Sequence, residues 1–199
     1  MNRIIKKPEE RKREIVSASR GLFLKRGYEN TTIQDVMTEL QIAKGTAYHY
    51  FRSKEELLEA VVEDMAAEYI GTVENLFNKL QGNALEKLTR LIEAGRAISP
   101  PLDELHRSDN RSLHARLLAV TLMKLAPLYA RVIEQGCAEG VFRVEHPLEC
   151  AEMVLAGIQF ITDTGCHPWT PVDLERRARA IPSLVETQLN APKNSIKLG

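Results

Sequence analysis

The residues best suited to chemistry lie between positions 44 and 54, where hydrogen-bond donors and aromatic rings alternate along KGTAYHYFRSK. Donors of this kind bind phosphate oxygens and base edges in the major groove of DNA. The predicted DNA-binding set comprises Thr32, Lys44, Gly45, Thr46, Tyr48, His49, Tyr50 and Lys54. The donors within residues 44–49 are expected to contact bases or nearby phosphates, and the remaining side chains to hold the backbone.

Two short helices must position these donors. Apolar residues recur at helical spacing between positions 33 and 40, behind two threonines that can supply an N-cap oxygen. A break at Gln41 precedes a second short helix over residues 43–50. Two helices of this size joined by a tight turn are typical of a helix-turn-helix, whose second helix lies in the major groove. Ser53 and Glu56 then form a capping-box start for a long helix.

The stretches GLFLKRGYENTTIQDV and KGTAYHYFRSKEEL make residues 10–60 similar to the TetR family of bacterial transcriptional repressors. The second stretch is close to the family motif Gly-Thr-x-Tyr-x-Tyr-Phe-x-x-Lys-x-x-Leu. The resemblance implies a sequence-specific transcriptional repressor that a small-molecule ligand releases from a palindromic operator in double-stranded DNA. It also implies a homodimer, because two reading heads match a two-fold symmetric site.

The chain departs from the family at two positions of the turn. Gln41 stands where the family usually has glycine, and Ala43 stands where it usually has the Ser or Thr that opens the second helix. A non-glycine residue at positive φ costs about 1 kcal/mol, and Ala43 lacks a hydroxyl that could cap the helix or contact phosphate. These departures favour an alternative hypothesis, a helical ligand-sensing module without specific DNA binding.

The charge of the chain is unevenly distributed although its formal net charge is zero. Residues 1–54 carry 12 Lys and Arg against 6 Asp and Glu, whereas residues 55–199 carry 15 against 21. A basic end that coincides with the helix-turn-helix fits neutralisation of DNA phosphates. A solvated charged tail would show the same bias.

Composition is that of a soluble globular protein, with 44% hydrophobic and 27% charged residues in 199. The apolar run over residues 153–162 is shorter than the roughly 20 residues of a membrane span, and the charged N-terminus lacks an apolar core of a signal peptide. The three cysteines are an odd number and lie far apart, which argues against a disulfide framework. We therefore expect a cytoplasmic protein with no membrane segment.

The helical pattern predicts an all-α fold of about nine helices. Residues 1–52 are expected to form an N-terminal three-helix DNA-binding domain and residues 53–190 a C-terminal helical ligand-binding and dimerisation domain. The polar tail, residues 191–199, is expected to be disordered. Pro127 is expected to open or kink a helix.

Two long helices near the C-terminus are the expected dimer interface. Residues 153–161 are apolar nearly all round, which indicates a helix buried on more than one side. The last helix, residues 171–189, carries one apolar stripe. In the family these two helices form a four-helix dimer interface. The predicted interface residues are Val154, Ile158, Ile161, Ile181 and Val185.

The family resemblance further implies a regulatory pocket in the C-terminal body, whose occupant lowers DNA affinity. The candidates place polar or aromatic groups near helices that should line such a pocket, and they are His106, His114, Met123, Gln159, Phe160 and Trp169. The expected effector is a largely apolar small molecule. Ordinary packing or a surface position is the alternative for each candidate, and Trp169 could equally be a dimer contact.

Catalytic and metal-binding patterns are not found in the sequence. The residues that invite a metal site lack ligand spacing such as Cys-x2-Cys, and they are Cys137, His146, Cys150, Cys166 and His167. The chain also has no Gly-rich phosphate loop, no Gly-x-Ser-x-Gly and no paired acidic motif. We expect no cofactor and no metal. A small helical enzyme, the third hypothesis, would need convergent polar residues in the C-terminal body.

Overall fold

The computed structural model describes residues 7–97 and 102–197, and every regular element in that part is helical. Its helices are α1 (Pro8–Arg26), α2 (Ile33–Leu40), α3 (Lys44–Tyr50), α4 (Lys54–Lys79), α5 (Ala84–Ala97), α6 (Leu102–Leu105), α7 (Arg111–Ala138), α8 (Pro147–Thr162) and α9 (Pro171–Leu189). A short 3₁₀ turn, Ser108–Asn110, precedes α7. The predicted all-α class is confirmed. None of the described helices combines the length and the apolar character that a bilayer crossing requires.

The first compact unit consists of residues 7–66 and 102–117. Its core is formed by buried apolar side chains, among them Ile15, Phe23, Val36, Met37, Ala47, Phe51, Leu57, Leu58, Leu105 and Leu113. The unit is larger than the predicted DNA-binding domain, residues 1–52, because the first half of α4 and residues 102–117 supply part of this core. The later segment is separated from the helix-turn-helix by about 50 positions, so local periodicity gave no sign of it.

The second compact unit consists of residues 67–97 and 118–197. Helices α8 and α9 pack against each other in this unit. Its core includes Ile70, Val73, Leu88, Leu91, Val132, Ile133, Phe142, Ile181, Val185 and Leu189. The buried Tyr129 hydroxyl donates a 3.1 Å hydrogen bond to the Leu91 carbonyl, which ties α7 to α5. Such a bond satisfies a polar group that would otherwise be costly to bury.

Helix α7 continues through Pro127, where a helix start or a kink was predicted. Proline cannot donate to the carbonyl four residues earlier, which here belongs to Met123. Met123 lies on an exposed side of the helix, where water can bond the released carbonyl. The helix therefore tolerates a proline that sequence reasoning treats as a breaker.

Two of the five predicted dimer contacts are buried within their own unit. Ile181 and Val185 are only 5% and 3% exposed and belong to the core of that unit. The apolar stripe of α9 faces inwards because the second unit needs that stripe to bury α9 itself. Val154, Ile158 and Ile161 on α8 are half-buried and remain predictions.

The segment after α9 differs from the predicted disordered tail over its described part, residues 191–197. The Glu186 carboxylate accepts the Asn194 N–H at 3.0 Å and the Ile196 N–H at 2.9 Å. The Ile196 side chain is buried. Although the segment is mostly polar, the buried Ile196 side chain and the Glu186 carboxylate on α9 hold it in place.

Candidate nucleic-acid interface

A capping box opens α2. The Asp35 N–H donates to Thr32 Oγ1 at 3.1 Å, and the Thr32 N–H donates to Asp35 Oδ2 at 2.7 Å. Hydrogen bonds from the side chain and then the backbone of Thr32 hold the pKa of the Asp35 carboxyl below its usual range. Val36 and Met37 anchor the helix in the core. The structure thus leaves Thr32 exposed at the start of α2, with its hydroxyl held by the cap.

The turn between α2 and α3 passes through the left-handed region at Gln41, with φ 52° and ψ 42°. The Ile42 N–H donates to the Met37 carbonyl at 3.0 Å and closes the turn. Glycine adopts this backbone conformation without steric cost, whereas glutamine does not. Ala43 is the N-cap of α3 and supplies no side-chain hydrogen bond. Both departures from the family motif therefore leave this turn with less local support.

Helix α3 is held by a single buried side chain of its own, Ala47, and by the buried Phe51 that follows it. Around this anchor the structure exposes Lys44, Gly45, Tyr48 and His49, and leaves Thr46 and Tyr50 half-buried. No side chain crowds Gly45, since nothing lies within 4 Å of a Cβ built there. The exposed face of α3 therefore presents an ammonium, a phenol and an imidazole, with an open backbone between them.

The aromatic rings of α3 support its polar groups. The Lys44 ammonium lies 5.7 Å from the centroid of the Tyr48 ring, a cation–π distance. The His49 and Tyr50 rings meet edge to face, with centroids 5.1 Å apart. These contacts restrict side chains that would otherwise be fully free in solvent, which lowers the entropy lost on binding.

Lys54 begins α4 and reaches back to the turn before α2. Its ammonium donates to the Glu29 carbonyl at 3.3 Å and lies 4.1 Å from the centroid of the Tyr28 ring. The Ser53 hydroxyl accepts the Glu56 N–H at 3.1 Å and caps the helix. Lys54 is therefore half-buried and already positioned within the chain, so only part of its hydrogen-bonding capacity faces outwards.

An open depression of about 400 Å³ lies between the start of α2, the exposed side of α3 and the start of α4. It is lined by Thr31, Thr32, Ile33, Gln34, Met37, Lys44, Tyr48, Arg52, Ser53 and Lys54. Three cations, Lys44, Arg52 and Lys54, border it, as a phosphate-binding surface requires. Sequence reasoning missed Arg52, although its place directly before the Ser53 cap puts it beside the predicted set.

The six predicted ligand-binding residues are divided between the two compact units. His106 and His114 belong to the first unit, where their ring centroids lie 4.8 Å apart. The other four belong to the second unit. There, Met123 and Phe160 are exposed, and the Gln159 amide donates to the Leu118 carbonyl at 3.4 Å.

Phe160 and Trp169 join one aromatic cluster in the second unit. The His167 ring lies between them, with centroid distances of 4.7 Å to Phe160 and 4.8 Å to Trp169. The Arg177 guanidinium lies 3.4 Å from the centroid of the Trp169 ring. The buried Trp169 indole N–H finds no acceptor within the described ranges. His167 was considered only as a metal ligand although it lies two positions before Trp169, and Arg177 was not predicted because the fold brings it to Trp169 from α9.

Two tyrosines of the second unit were also missed by sequence reasoning. The hydroxyls of Tyr69 on α4 and Tyr129 on α7 lie 3.7 and 3.8 Å from a Cβ built at Gly95 on α5. Burial raises the pKa of both phenols, and for Tyr129 the neighbouring Tyr69 adds to the rise. Both groups are therefore neutral donors in apolar surroundings. Their only signal in the sequence is aromatic spacing, which core residues share.

Two models of known protein families match the chain. The family model described as bacterial regulatory proteins, tetR family, matches residues 15–61. A second model, the tetracyclin repressor-like C-terminal domain, matches residues 99–183. The first match contains α2 and α3 with the exposed face described above.

Relatives and solved structures agree with these models. The HTH-type transcriptional repressor KstR2 of Mycolicibacterium smegmatis is 32% identical over 176 residues, covering 85% of each chain. The KstR2 of Rhodococcus jostii is 24% identical over 190 residues, covering 92% of this chain and 93% of its own. The crystal structure of a TetR-family transcriptional regulator from Pectobacterium atrosepticum has a TM-score of 0.70 at 23% identity, covering 93% and 97% of the two chains.

The match to the Mycolicibacterium repressor extends over most of both chains, and the fold is shared with the Pectobacterium regulator. Members of this family bind operator DNA and small-molecule effectors and form dimers. The family consists of regulators, which confirms the expectation that the chain is not an enzyme. The chain belongs to the tetR family of bacterial regulatory proteins and is a DNA-binding transcriptional regulator.

Proposed function

We propose that this protein is a repressor that binds a palindromic operator as a homodimer and is released by a small-molecule effector. The observation that supports this most directly is the exposed face of α3, where Lys44, Tyr48 and His49 surround the unhindered Gly45. Donors on an exposed second helix can reach base edges. Thr46 and Tyr50, which are half-buried, are proposed to act at the margins of this face.

Phosphate contacts are proposed for the residues that border the depression beside α3. Lys54, Arg52 and Thr32 lie there together with Ser53, whose hydroxyl caps the start of α4. Cations at this place would fix the position of α3 on the duplex without reading its sequence. We assign Lys44 to bases because it projects from the exposed start of α3 rather than from a helix end held to the protein.

Dimerisation is proposed to use exposed apolar residues of α8 and α9. Met153, Gly157 and Phe160 are exposed and recur on α8 at helical spacing, and Leu184 is exposed on α9. Val154, Ile158 and Ile161 are proposed to contribute at the edge of this surface. Burying these side chains against a second copy removes apolar area from water, and two copies present two α3 helices to a two-fold operator.

The effector is proposed to be a largely apolar small molecule with at least one hydrogen-bonding group, bound in the second unit. Tyr69 supplies a neutral hydroxyl near Gly95, and Tyr129 lies beside it. Gln159 and Trp169 remain candidates in the same unit, whereas Met123 and Phe160 are exposed. His106 and His114, whose rings lie side by side in the first unit, remain candidates for ligand contacts as well.

A helical ligand-sensing module without specific DNA binding is the rival. The observation that favours it is the weakly supported turn, because Gln41 is left-handed and Ala43 makes no cap bond. In that case the exposed face of α3 would bind DNA through charge alone, and the affinity would disappear as salt increases.

Selection from genomic DNA separates the two functions. Purified protein is incubated with fragmented genomic DNA at about 0.15 M salt, near physiological ionic strength, and the retained fragments are sequenced. Recovery of one short palindrome supports the repressor, and retention that is uniform in sequence and erased by salt supports the rival. Expression of a reporter behind the recovered site then separates repression from activation. A regulator of chromosomal genes would work in the cytoplasm.

A further inference from the structure

A segment far along the chain is bonded to the turn that leads into the helix-turn-helix. Residues 104–112 belong to the first compact unit together with α1, α2 and α3. Asn110 is fully buried there, at 0% exposure. A buried amide needs partners for both its oxygen and its nitrogen, so these partners reveal what the residue holds together.

Both groups of Asn110 are satisfied by backbone atoms of different segments. Its Oδ1 accepts the Tyr28 N–H at 2.7 Å, and its Nδ2 donates to the Glu104 carbonyl at 2.8 Å. The adjacent Asp109 carbonyl accepts the Glu29 N–H at 2.9 Å. Two consecutive N–H groups of the α1–α2 turn are therefore bonded by two consecutive residues of the 3₁₀ turn.

Surface side chains form two more hydrogen bonds between the α1–α2 turn and residues 109–112. The Asn30 amide donates to Asp109 Oδ2 at 3.0 Å, and the Ser112 hydroxyl donates to Glu29 Oε1 at 2.7 Å. Gly27 has φ +91°, and a Cβ built there would overlap the Asp109 side chain. The close approach of the two segments therefore requires glycine at this position.

The positions of two residues of the proposed DNA-binding set depend on this turn. Thr32 directly follows it, and Lys54 bonds to it from α4. The Lys54 ammonium donates to the Glu29 carbonyl and stacks on the Tyr28 ring. The buried Thr31 hydroxyl donates to the Gly27 carbonyl at 2.8 Å, directly before the N-cap Thr32. A displacement of residues 27–31 would move Lys54 and the start of α2 together.

We propose that residues 104–112 form a polar latch on the α1–α2 turn, and that Asn110 is its positioning residue for DNA binding. The proposal rests on the proposed function, because it assigns a role in operator affinity. Asn110 does not contact DNA in this account. It fixes the backbone of Tyr28 and Glu29, and thereby the places of Thr32 and Lys54.

The test compares Asn110→Ala with Asn83→Ala. Asn83 Oδ1 accepts the Glu86 N–H at 3.0 Å at the start of α5 in the second unit, so the control also loses a backbone hydrogen bond. Operator affinity is titrated by fluorescence anisotropy on the selected palindrome. We expect Asn110→Ala to lose about tenfold or more in affinity, as one or two lost buried hydrogen bonds would cause, and Asn83→Ala to change it less than about twofold.

Hydrogen exchange supplies a readout that general destabilisation would not produce. Asn110→Ala should accelerate amide exchange in the peptide covering residues 27–32 and leave the peptides of α9 unchanged. Stoichiometric titration at high DNA concentration should show the same active fraction as the unaltered protein. Accelerated exchange with unchanged operator affinity would overturn the proposal, and so would lost affinity with unchanged exchange in residues 27–32.

A second variant covers the case in which Asn110→Ala does not fold. Asn30→Ala combined with Ser112→Ala removes the two surface hydrogen bonds of the latch, together with the 3.3 Å bond from the Asn30 amide to the Arg26 carbonyl. It should lower affinity about two- to fivefold. Unchanged affinity in a double variant that exchanges faster over residues 27–32 would overturn the proposal. If the unaltered protein selects no operator, the proposed function fails instead, which keeps the two failures distinct.

Discussion

Gln41 combines an exposed amide side chain with a left-handed backbone at the turn between α2 and α3. The Cβ atom of a side chain in this region costs about 1 kcal/mol of steric strain. Glycine has no such strain, but its backbone loses more conformational entropy on folding. Gln41 therefore lowers the stability of the turn, and in return it places an exposed amide side chain beside α3.

Replacing Gln41 by glycine should stabilise the protein by about 0.5 kcal/mol, the difference between the two effects, and raise the melting temperature by about 1–2 °C. The measurement is thermal unfolding followed by circular dichroism. Gln41→Ala is the control, because it removes the amide and keeps the strained backbone, and it should not raise the melting temperature. A glycine variant that melts at or below the temperature of the alanine variant would contradict the steric argument.

Lys44 and Lys54 differ in what surrounds their ammonium groups, and this difference predicts different losses. Lys44→Ala should alter the preference among operator sequences, because its exposed ammonium is assigned to bases. Lys54→Ala should weaken binding to every DNA and reduce the slope of log affinity against log salt by about one. Titrations on the operator and on two scrambled duplexes at four salt concentrations make the comparison.

Lys79→Ala is the matched control for both lysines, since Lys79 ends α4 in the second unit. It should change neither the sequence preference nor the salt slope. If Lys44→Ala loses the same affinity on the operator and on the scrambled duplexes, Lys44 contacts phosphate and its assignment to bases is wrong.

At the scale of helices, sequence patterns were sufficient where the partner of each residue lies within one or two turns. The capping box of Thr32 and Asp35 and the apolar spacing of α2 are local, so α2 and α3 could be predicted before the structure. The candidate DNA-binding residues follow from the same local pattern, because they share α3 and its two flanks.

Long-range partners could not be predicted from local patterns. Asn110 bonds to Tyr28, which lies 82 positions earlier in the sequence, and a periodic sequence pattern cannot indicate a contact at that separation. The stripe of α9 shows the same limit in another form. Periodicity finds the apolar side of the helix, but it does not distinguish packing in the core of the helix's own unit, where Ile181 and Val185 lie, from packing against a partner.

The segment after α9 should respond to acid through Glu186. The N–H groups of Ile196 and Asn194 stabilise the carboxylate and lower its pKa below 4.5, in that order of effect. A lowered pKa in the folded state contributes stability above the ordinary pKa and loses it as pH falls through the folded value. The segment should therefore be docked at pH 7 and loosen as the pH falls below the ordinary pKa of a glutamate.

Glu186→Gln should loosen residues 194–197 already at pH 7, because the neutral amide is a weaker acceptor for two N–H groups. Hydrogen exchange at pH 7 should show faster exchange in residues 194–197. The drop in melting temperature between pH 7 and about pH 3 should be smaller than in the unaltered protein, because the amide does not titrate. Glu134→Gln on α7, an exposed position, is the control and should match the unaltered protein in both measurements.

At the scale of the whole molecule, the zero net charge conceals a division of labour. The balance is positive up to residue 54 and negative beyond it. Attraction for phosphate is therefore concentrated in the part of the chain that contains α3. Most of the acidic excess lies in residues 55–66 on the first half of α4, which carry five Asp and Glu and no Lys or Arg.

Dimerisation is the property on which operator recognition by the whole molecule depends, and a matched pair of methionines tests where it occurs. Met153 on α8 and Met123 on α7 are both exposed, at 55% and 63%. Met153→Glu should place a charge in the proposed interface and weaken the dimer by about 2 kcal/mol or more, roughly thirtyfold. Met123→Glu should leave it intact.

Sedimentation velocity across a concentration series measures the dimer, and anisotropy on full and half operators measures its consequence. A dimer gains from two linked contacts, so its loss should reduce affinity for the full palindrome far more than for a half site. Met153→Glu should therefore bring the two affinities together, while Met123→Glu keeps them apart. A Met153→Glu protein that stays dimeric would place the interface elsewhere than on the exposed side of α8, whereas a monomer that still prefers the full palindrome would show that the two α3 helices need no permanent link.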